Sequence, residues 1–184
     1  MTQSRCFWAG GSTLMQQYHD DEWGKPSYHD EYLFEMLILE GMQAGLSWSI
    51  VLKKREAMRE AFFNFSVDKL SKITEKDITK MMGNPNIIRN RLKLEGLRKN
   101  ALSFIRVQKE FESFSNYIWH FTNGEIVMNH FSEEEPLLTS SPLSDEISKD
   151  LKKRGFTFVG TTIIYSYLEA IGVINDHEDC CDWK

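Results

Sequence analysis

The chain has 184 residues, an ordinary apolar content and a net charge of −5. This length is enough for one domain with its own core, which we place at residues 1–184 and expect to contain two helical lobes. No apolar run is long enough to span a membrane, and the start of the chain lacks the apolar stretch of a secretion signal. We therefore predict a cytoplasmic protein without a membrane partner.

Helical periodicity dominates the chain, glycine and proline are sparse, and we therefore predict an all-α fold. In chain order the predicted elements are a helix at 30–45 that starts near Asp30 as its cap, an amphipathic helix at about 53–63, and two short helices with Ser66 and Thr74 as N-caps. A long helix is predicted after the turn at 84–86, then a helix at 113–121, a short strand at 125–128, a helix from Ser141 to Gly155, and a last helix from Thr161 or Thr162 to about Gly172.

Basic residues are concentrated in two segments of a protein that is acidic overall. The segment from Arg89 to Lys109 has seven basic residues and one acidic residue, and Lys152–Arg154 ends the helix that starts at Ser141. A basic face on an acidic protein directs a polyanion to one side of the molecule. A solvated helix face is the alternative explanation, and it stays open from charge alone.

Cysteine and histidine residues occur in pairs at both ends of the chain. Cys6 and His19 lie near the start, and His177 and Cys181 form an H-x₃-C pair near the end. Two thiolates and two imidazoles are a suitable ligand set for tetrahedral Zn²⁺. Because four protein ligands leave no open coordination position, such a metal is structural. Unligated buried cysteines and a disulfide are the alternatives, although three cysteines leave one unpaired in any disulfide scheme.

One acidic residue, Glu40, lies within an otherwise apolar helical segment. Helical spacing places it on a stripe with Leu33, Leu37, Ala44 and Trp48. A buried carboxylate must be hydrogen-bonded, paired or protonated, and Gly41 and Gly45 leave room for a group to come close. Glu40 is therefore either a pocket carboxylate that accepts hydrogen bonds from a ligand or a structural residue paired with backbone or an arginine.

Aromatic residues cluster in sequence near Glu40. They are Phe7, Trp8, Tyr18, Trp23 and Trp48. Aromatic walls around an anion suit a flat, electron-poor ring, whereas the alternative is that these rings belong to the core.

Long sequence blocks resemble the bacterial 3-methyladenine DNA glycosylase I family, over nearly the whole chain. The blocks are Cys6, Trp8, Tyr18–Asp20, Glu22–Gly24, Leu33–Met36, Leu39–Gly41, Gln43–Trp48, Val51–Arg55, Ile87–Arg89, Leu151–Phe156, Phe158–Thr162 and Asn175–His177.

The resemblance implies a helix-hairpin-helix DNA glycosylase fold whose two ends are joined by structural Zn²⁺. The implied ligands are Cys6, His19, His177 and Cys181, with Cys180 as the alternative to Cys181. It also implies a monofunctional N-glycosylase that flips an alkylated adenine out of double-stranded DNA and hydrolyses its glycosidic bond, leaving an abasic site.

In the implied pocket, Glu40 is the catalytic residue and Tyr18, Trp48 and Trp8 bind the base. An adenine alkylated at N3 is cationic, so we expect the aromatic faces of Trp48 and Trp8 to favour it over neutral adenine by about 1–2 kcal/mol or more when desolvated. Glu40 is expected to accept a hydrogen bond from the exocyclic amine and to add its negative charge. The protein need not supply a strong acid, because the cationic base is already a good leaving group.

Phosphate contacts are expected from the two basic segments, and we expect a monomer. The candidates are Arg89, Arg91, Lys93, Lys152, Lys153 and Arg154. The residue that fills the gap left by the flipped base is not assigned.

The chain departs from the family pattern at three places. Met15 stands where the family often has tyrosine, Met42 where glutamine is common, and Asn84-Pro85-Asn86 where a glycine-rich turn is usual. We expect one lost pocket contact at Met15 and a weaker backbone contact to phosphate in the hairpin.

Two other classes of protein compete with this interpretation. A non-enzymatic, zinc-stapled DNA-binding module explains the basic segments and the metal ligands, but it gives no role to Glu40 among aromatic residues. A zinc hydrolase with Glu40 as its base requires an open metal position, which four protein ligands do not leave.

Overall fold

The computed structural model describes residues 4–132 and 136–184, so the first three residues, which the secretion-signal prediction includes, lie outside it. The described chain is mostly helical, which confirms the predicted fold class. The helices are α1 Thr13–Asp21, α2 Asp30–Gln43, α3 Trp48–Ala61, α4 Val67–Leu70, α5 Glu75–Met82, α6 Arg91–Phe111, α7 Phe114–His120, α8 Pro142–Lys153 and α9 Thr161–Ala170, with short 3-10 helices at Phe7–Gly11 and Phe63–Phe65. Two short strands, β1 Val127–Met128 and β2 Ile174–Asn175, pair in parallel.

Several helix ends follow from local sequence. The side chains of Ser66 and Ser141 each accept a hydrogen bond from the backbone N–H three residues on, as N-caps of α4 and α8. Asp30 differs from the prediction, because it lies inside the first turn of α2 rather than at its cap. Its carboxylate instead accepts from the backbone N–H groups of Phe114 and Ser115 at 2.9 and 2.8 Å, and so fixes the start of α7.

The helix predicted for residues 30–45 ends earlier than its apolar pattern indicates. α2 stops at Gln43, Gly45 turns the chain with a φ of +78°, and Trp48 begins α3. Trp48 is therefore not on the helical stripe of Glu40, and the stripe prediction is wrong at that residue.

Lys93 contributes to the early end of α2. Its ammonium group donates to the carbonyl oxygens of Met42 at 2.8 Å and Ala44 at 2.7 Å, although Lys93 itself belongs to α6. These are carbonyl groups that the end of a helix leaves without intrahelical partners. A cation at this end also interacts favourably with the helix dipole.

α2 is the central helix, and it packs against α3, α6, α7 and α9. Its residues from Leu33 to Met42 are almost all buried. At Gly41 the close approach predicted from sequence is made by the chain itself, because an added Cβ would lie 3.2 Å from Cβ of Phe158. Gly45, in contrast, faces open space.

α5 and α6 are joined by a hairpin at 83–90, in which the side chain of Asn84 accepts from the N–H of Asn86 and Asn90 caps α6. None of the helices in the described parts of the chain is both long enough and apolar enough for a membrane crossing.

Candidate active site and metal centre

A cavity of about 280 Å³ lies where α1, α2, α9 and the start of α3 meet. Its wall contains the four residues for which the sequence predicts a pocket role, Trp8, Tyr18, Glu40 and Trp48. Met15, at one of the departures from the family pattern, also lies in the wall. Met42 is buried in the core instead. The fold thus brings together residues from four different elements.

Aromatic rings form one side of this cavity. The ring centroids of Tyr18 and Trp48 are 5.2 Å apart, and those of Trp8 and Trp23 are 4.9 Å apart with the planes at 78°. Rings at these distances and angles have offset or edge-to-face geometry and do not stack on one another. The cavity therefore has a wall of aromatic side chains beside the acidic residue Glu40.

Glu40 is buried in the cavity wall, with 3% of its surface exposed. Burial raises the pKa of its carboxyl group to about 8. Within the described residues, neither Oε2 of Glu40 nor the indole Nε1 of Trp48 has a hydrogen-bond partner. An unsatisfied buried polar atom costs about 1–3 kcal/mol. A ligand that brings one donor and one acceptor would satisfy both atoms.

Arg55 holds the helices that carry this pocket in place. It belongs to α3, is 7% exposed, and donates to Glu35 of α2 at 2.7 Å and to Glu22 just after α1 at 2.8 Å. One guanidinium therefore cross-links the helices of Tyr18, Glu40 and Trp48. This bridge limits relative movement of the aromatic and acidic walls.

The four predicted metal ligands meet at one point. The candidate ligand atoms of Cys6, His19, His177 and Cys181 all lie within 4.8 Å of one another, and all four residues are buried. Three of the sulfur–nitrogen distances are 3.5 Å: Cys6 Sγ to His177 Nδ1, Cys181 Sγ to His19 Nε2, and Cys181 Sγ to His177 Nδ1. Tetrahedral bonds of about 2.3 Å to sulfur and 2.0–2.1 Å to nitrogen place such ligands about 3.5 Å apart. The arrangement could therefore bind a metal.

Both imidazoles of this centre are oriented through their second ring nitrogen. His19 Nδ1 donates to Asp20 at 2.8 Å, and Asp20 is held by Arg5. The ring of His177 hydrogen-bonds to the backbone of Trp23. Outer hydrogen bonds of this kind fix the tautomer and angle of metal-ligating histidines.

The structure also distinguishes the two adjacent cysteines. Cys181 is buried in the cluster, whereas Cys180 is exposed and its sulfur lies 3.8 Å from a Glu178 carboxylate oxygen. All three cysteines are thiols rather than disulfides. The geometry thus favours Cys181 over Cys180.

The metal centre and the cavity share a wall. The ring centroids of Trp23 and His177 are 4.6 Å apart, and those of Trp8 and His19 are 5.3 Å apart. His19 also follows Tyr18 directly in α1. The four-residue cluster therefore packs directly against the aromatic side of the pocket.

The predicted phosphate contacts fall into two separate places. Arg89 is exposed in the hairpin beside the 44–46 loop, and these segments line a groove of about 410 Å³. Arg91 begins α6 and is paired with Glu75 and Glu95. Lys152 and Lys153 are exposed at the end of α8, which lies beside the C-terminal part of α6. α6 is about 30 Å long at 1.5 Å per residue, so the two places are well separated.

Two of the predicted phosphate contacts have side chains that hydrogen-bond to other groups of the protein. Lys93 is 6% exposed and donates from its ammonium group to two carbonyl oxygens at the end of α2, and it also lines the groove beside Arg89. Arg154 donates to Asp150 at 2.6 Å and to Glu110 at 2.7 Å, and lies over the ring of Phe111. Phosphate contact by Lys93 and Arg154 stays a prediction from sequence, and we leave both residues out of the DNA contacts proposed below.

Three residues at these sites are absent from the sequence prediction. Ser166 and Glu169 of α9 line the cavity of Glu40, and Lys54 lines the groove beside Arg89. The signal that would find Glu169 is the one used for Glu40, an acidic residue in an apolar helical segment. Lys54 carries no such signal, because exposed lysines are common on helices.

The fold and the site define a helical protein with a buried cluster of four candidate metal ligands and an aromatic-lined cavity that contains a buried carboxyl group. The chain belongs to the methyladenine glycosylase family, whose model matches residues 8–184. It is 44% identical to the DNA-3-methyladenine glycosylase of Haemophilus influenzae, with 98% of each chain covered. It is 42% identical to DNA-3-methyladenine glycosylase 1 of Escherichia coli, with 96% of this chain and 95% of the other covered.

Solved structures agree with this assignment. A crystal structure of a 3-methyladenine DNA glycosylase I has a TM-score of 0.94 and 42% identity, and covers 97% of this chain and 98% of its own. The Staphylococcus aureus enzyme, solved to explain its recognition of 3-methyladenine, has a TM-score of 0.93 and 35% identity, with 97% and 95% covered. The family identified by resemblance from sequence is confirmed.

Proposed function

We propose that this protein is a DNA repair enzyme that hydrolyses the N-glycosidic bond of 3-methyladenine in alkylated, double-stranded DNA after base flipping. The proposal is carried by the buried Glu40 carboxyl, whose Oε2 has no hydrogen-bond partner among the described residues, and by the indole N–H of Trp48, which lines the same cavity and also has none. An adenine ring offers an amine donor and ring-nitrogen acceptors, which match this pair of atoms. Its relatives of more than 40% identity bear the name of this activity.

The electrostatics of the pocket favour a cationic base. Burial holds Glu40 largely protonated at neutral pH, since its pKa is about 8. A cation in contact with the carboxyl group lowers that pKa and so favours the ionised carboxylate. Neutral adenine gains no such ion pair, and its affinity is lower by that difference. The aromatic faces of Trp8 and Trp48 add to the preference for the cation.

The reaction needs little acid–base chemistry from the protein. When the bond between the base and the sugar carbon breaks, the base takes both bonding electrons and its positive charge is neutralised. Water then adds to the sugar carbon and loses a proton to solvent, which leaves an abasic site. Glu40 supplies binding that favours the flipped cationic base over neutral adenine, through the exocyclic amine.

We assign the metal as structural Zn²⁺, bound by Cys6, His19, His177 and Cys181. Two cysteines and two histidines are a common closed zinc set, and no position is left for a reacting water. When bound, the metal supplies a cross-link between the two ends of the chain.

We also propose that residues 1–184 form one domain, that the protein is a cytoplasmic monomer, and that it binds no membrane.

DNA contact is proposed for the groove beside the pocket and for the far end of α6. Arg89 and Lys54 line this groove together with the 44–46 loop, which connects the helix of Glu40 to that of Trp48, and Arg91 begins α6 two residues after Arg89. Lys152 and Lys153 contact phosphates further along the duplex. Contacts of this type fix the position of the protein without reading sequence.

Release of the base from methylated duplex DNA tests this function directly. The wild-type protein, Glu40→Gln and the exposed control Glu146→Gln are incubated with the DNA, and the free bases are separated by chromatography. We expect 3-methyladenine from the wild type and the control, and much less from Glu40→Gln. If the wild type binds duplex DNA but releases no base, the non-enzymatic binding module replaces this proposal.

A further inference from the structure

Lys93 is a buried cation to which the reaction proposed above gives no role. It belongs to α6, is 6% exposed, and donates from its ammonium group to the carbonyl oxygens of Met42 at 2.8 Å and Ala44 at 2.7 Å. A charged group is costly to bury unless it is paired or well hydrogen-bonded. The bonds to these two carbonyl oxygens therefore hold the ammonium group against the chain between α2 and α3.

The segment from Gln43 to Leu46 is a type II β-turn. Ala44 has φ −45° and ψ 114°, Gly45 has φ +78°, and the backbone N–H of Leu46 donates to the carbonyl oxygen of Gln43 at 2.6 Å. A type I turn of the same residues differs mainly by a flip of the peptide group between Ala44 and Gly45. The direction of the Ala44 carbonyl group therefore distinguishes the two turns.

Lys93 fixes that direction. Its ammonium group binds the Ala44 carbonyl oxygen on the buried side of the turn. Because a peptide group is planar and trans, the N–H of Gly45 points the opposite way. Gly45 is exposed, a Cβ added to it would meet nothing within 4 Å, and among the described residues its N–H has no acceptor. The turn consequently presents Gly45 and the exposed Leu46 on the groove beside Arg89.

Lys93 connects two segments that line the same groove. It is the third residue of α6 and follows the hairpin that contains Arg89, while the turn that it binds lies between α2 and α3. Arg55 ties α3 to α2 through Glu35 at 2.7 Å, so the helices of the pocket have a link that does not depend on Lys93. Loss of the ammonium group should therefore release the turn and leave the walls of the pocket in place.

We propose that Lys93 is a positioning residue for base excision from duplex DNA, because it holds the 43–46 turn in the conformation that presents Gly45 and Leu46 to the duplex. This inference rests on the function proposed above. Lys93 acts through the turn and contacts neither the base nor a phosphate. A duplex that enters the groove then meets a turn whose shape is already fixed, so binding does not have to order it.

The test compares two lysines of α6. Lys93→Met keeps the apolar stem and removes the donor, whereas Lys99→Met removes the same charge from an exposed position and is the matched control. Release of 3-methyladenine is measured in single turnovers with zinc-loaded protein, from methylated duplex DNA and from a single strand of the same sequence. Lys93→Met should slow excision from the duplex about tenfold, the effect of losing hydrogen bonds from a charged group, and excision from the single strand by less than about twofold. Lys99→Met should match the wild type on both substrates.

Two outcomes would overturn the proposal. Equal slowing of Lys93→Met on duplex and single strand would show that Lys93 supports the pocket or the fold as a whole. The second is a change in the salt dependence of duplex binding, measured by fluorescence anisotropy. A positioning residue leaves the salt slope as in the wild type, whereas a slope reduced by about one, with an unchanged rate at saturation, would identify Lys93 as a phosphate contact.

A second variant examines the turn without touching the buried cation. Gly45→Ala disfavours the positive φ of the turn and adds a side chain only in open space, so the fold should tolerate it. It should also slow excision from the duplex selectively, and the double variant with Lys93→Met should be no slower than the slower single variant. Effects that add, or a Gly45→Ala variant equally active on both substrates, would contradict the proposal.

Folding defects and the proposed function are tested separately. If circular dichroism shows that Lys93→Met does not fold, Gly45→Ala still decides whether the turn acts specifically on duplex DNA. A Lys93→Met variant as active as the wild type on the duplex refutes only the role of Lys93. A wild-type protein that releases no 3-methyladenine from either substrate would refute the proposed function itself.

Discussion

The buried carboxyl of Glu40 should make the stability of this protein depend on pH in a way that one substitution removes. The pKa of Glu40 is raised from 4.5 to about 8 by burial. Between these values the folded protein holds a proton that the unfolded chain has lost. Stability is therefore fully present below pH 4.5, falls as pH rises through this window, and levels off above pH 8.

The magnitude follows from the size of the shift. Each pKa unit corresponds to about 1.4 kcal/mol, so the ionised carboxylate destabilises the fold by about 3 kcal/mol at pH 7 and about 5 kcal/mol above pH 8. Glu40→Gln has no proton to lose and similar shape. We expect the variant to match the wild type near pH 5 and to exceed its free energy of unfolding by these amounts at higher pH.

Chemical denaturation with Zn²⁺ present, at pH 5.5, 7 and 8.5, measures this difference. Both proteins carry the same cysteine and histidine ligands, so pH effects at the metal centre cancel between them. The variant should gain stability while losing base excision, which would identify Glu40 as a residue kept for function at a cost in stability. Unfolding free energies that change in parallel with pH would refute the reasoning, because Glu40 would then be ionised at no cost.

Three further predictions concern the metal, the DNA groove and the loop at the pocket. Cys181→Ser should release bound Zn²⁺ to a chelator and lower the unfolding midpoint, while Cys180→Ser behaves as wild type; equal effects of the two changes would contradict the ligand assignment. Arg89→Gln should weaken duplex binding and reduce the salt slope by about one, measured by fluorescence anisotropy at several salt concentrations, whereas Lys69→Gln on α4 should change neither. Leu46 is 39% exposed in the loop between the helices of Glu40 and Trp48, and it is the apolar side chain we expect to fill the gap left by the flipped base. Leu46→Ala should therefore slow excision from duplex DNA but not from single strands, and equal slowing on both substrates would argue against this role.

Local chemistry accounts for much of what the sequence determined. Ser66 and Ser141 were predictable as caps because a serine oxygen can accept a hydrogen bond from the unpaired backbone N–H three residues on, which needs only one turn of chain. The four metal ligands were predictable as a set because thiolates and imidazoles serve few other common purposes together. Glu40 was predictable because a charge in an apolar helical segment is costly, and the same argument would have identified Glu169.

The tertiary structure decided how these residues meet. Trp48 reaches the pocket from a new helix, since Lys93 and Gly45 end α2 early, and neither cause has a signal in the local apolar pattern. Lys93 was predicted as a phosphate contact because it lies in a basic segment. The sequence of such a segment is the same whether the ammonium group faces solvent or the carbonyl oxygens of another helix.

The distinction between Cys180 and Cys181 has a similar origin. Adjacent residues of one type carry the same chemistry, and only the fold determines which sulfur is buried with His19 and His177. Residue type alone specifies which chemical groups this protein has available. Which of them face each other depended on contacts between residues far apart in the chain, because burial and direction are properties of packing and not of residue type.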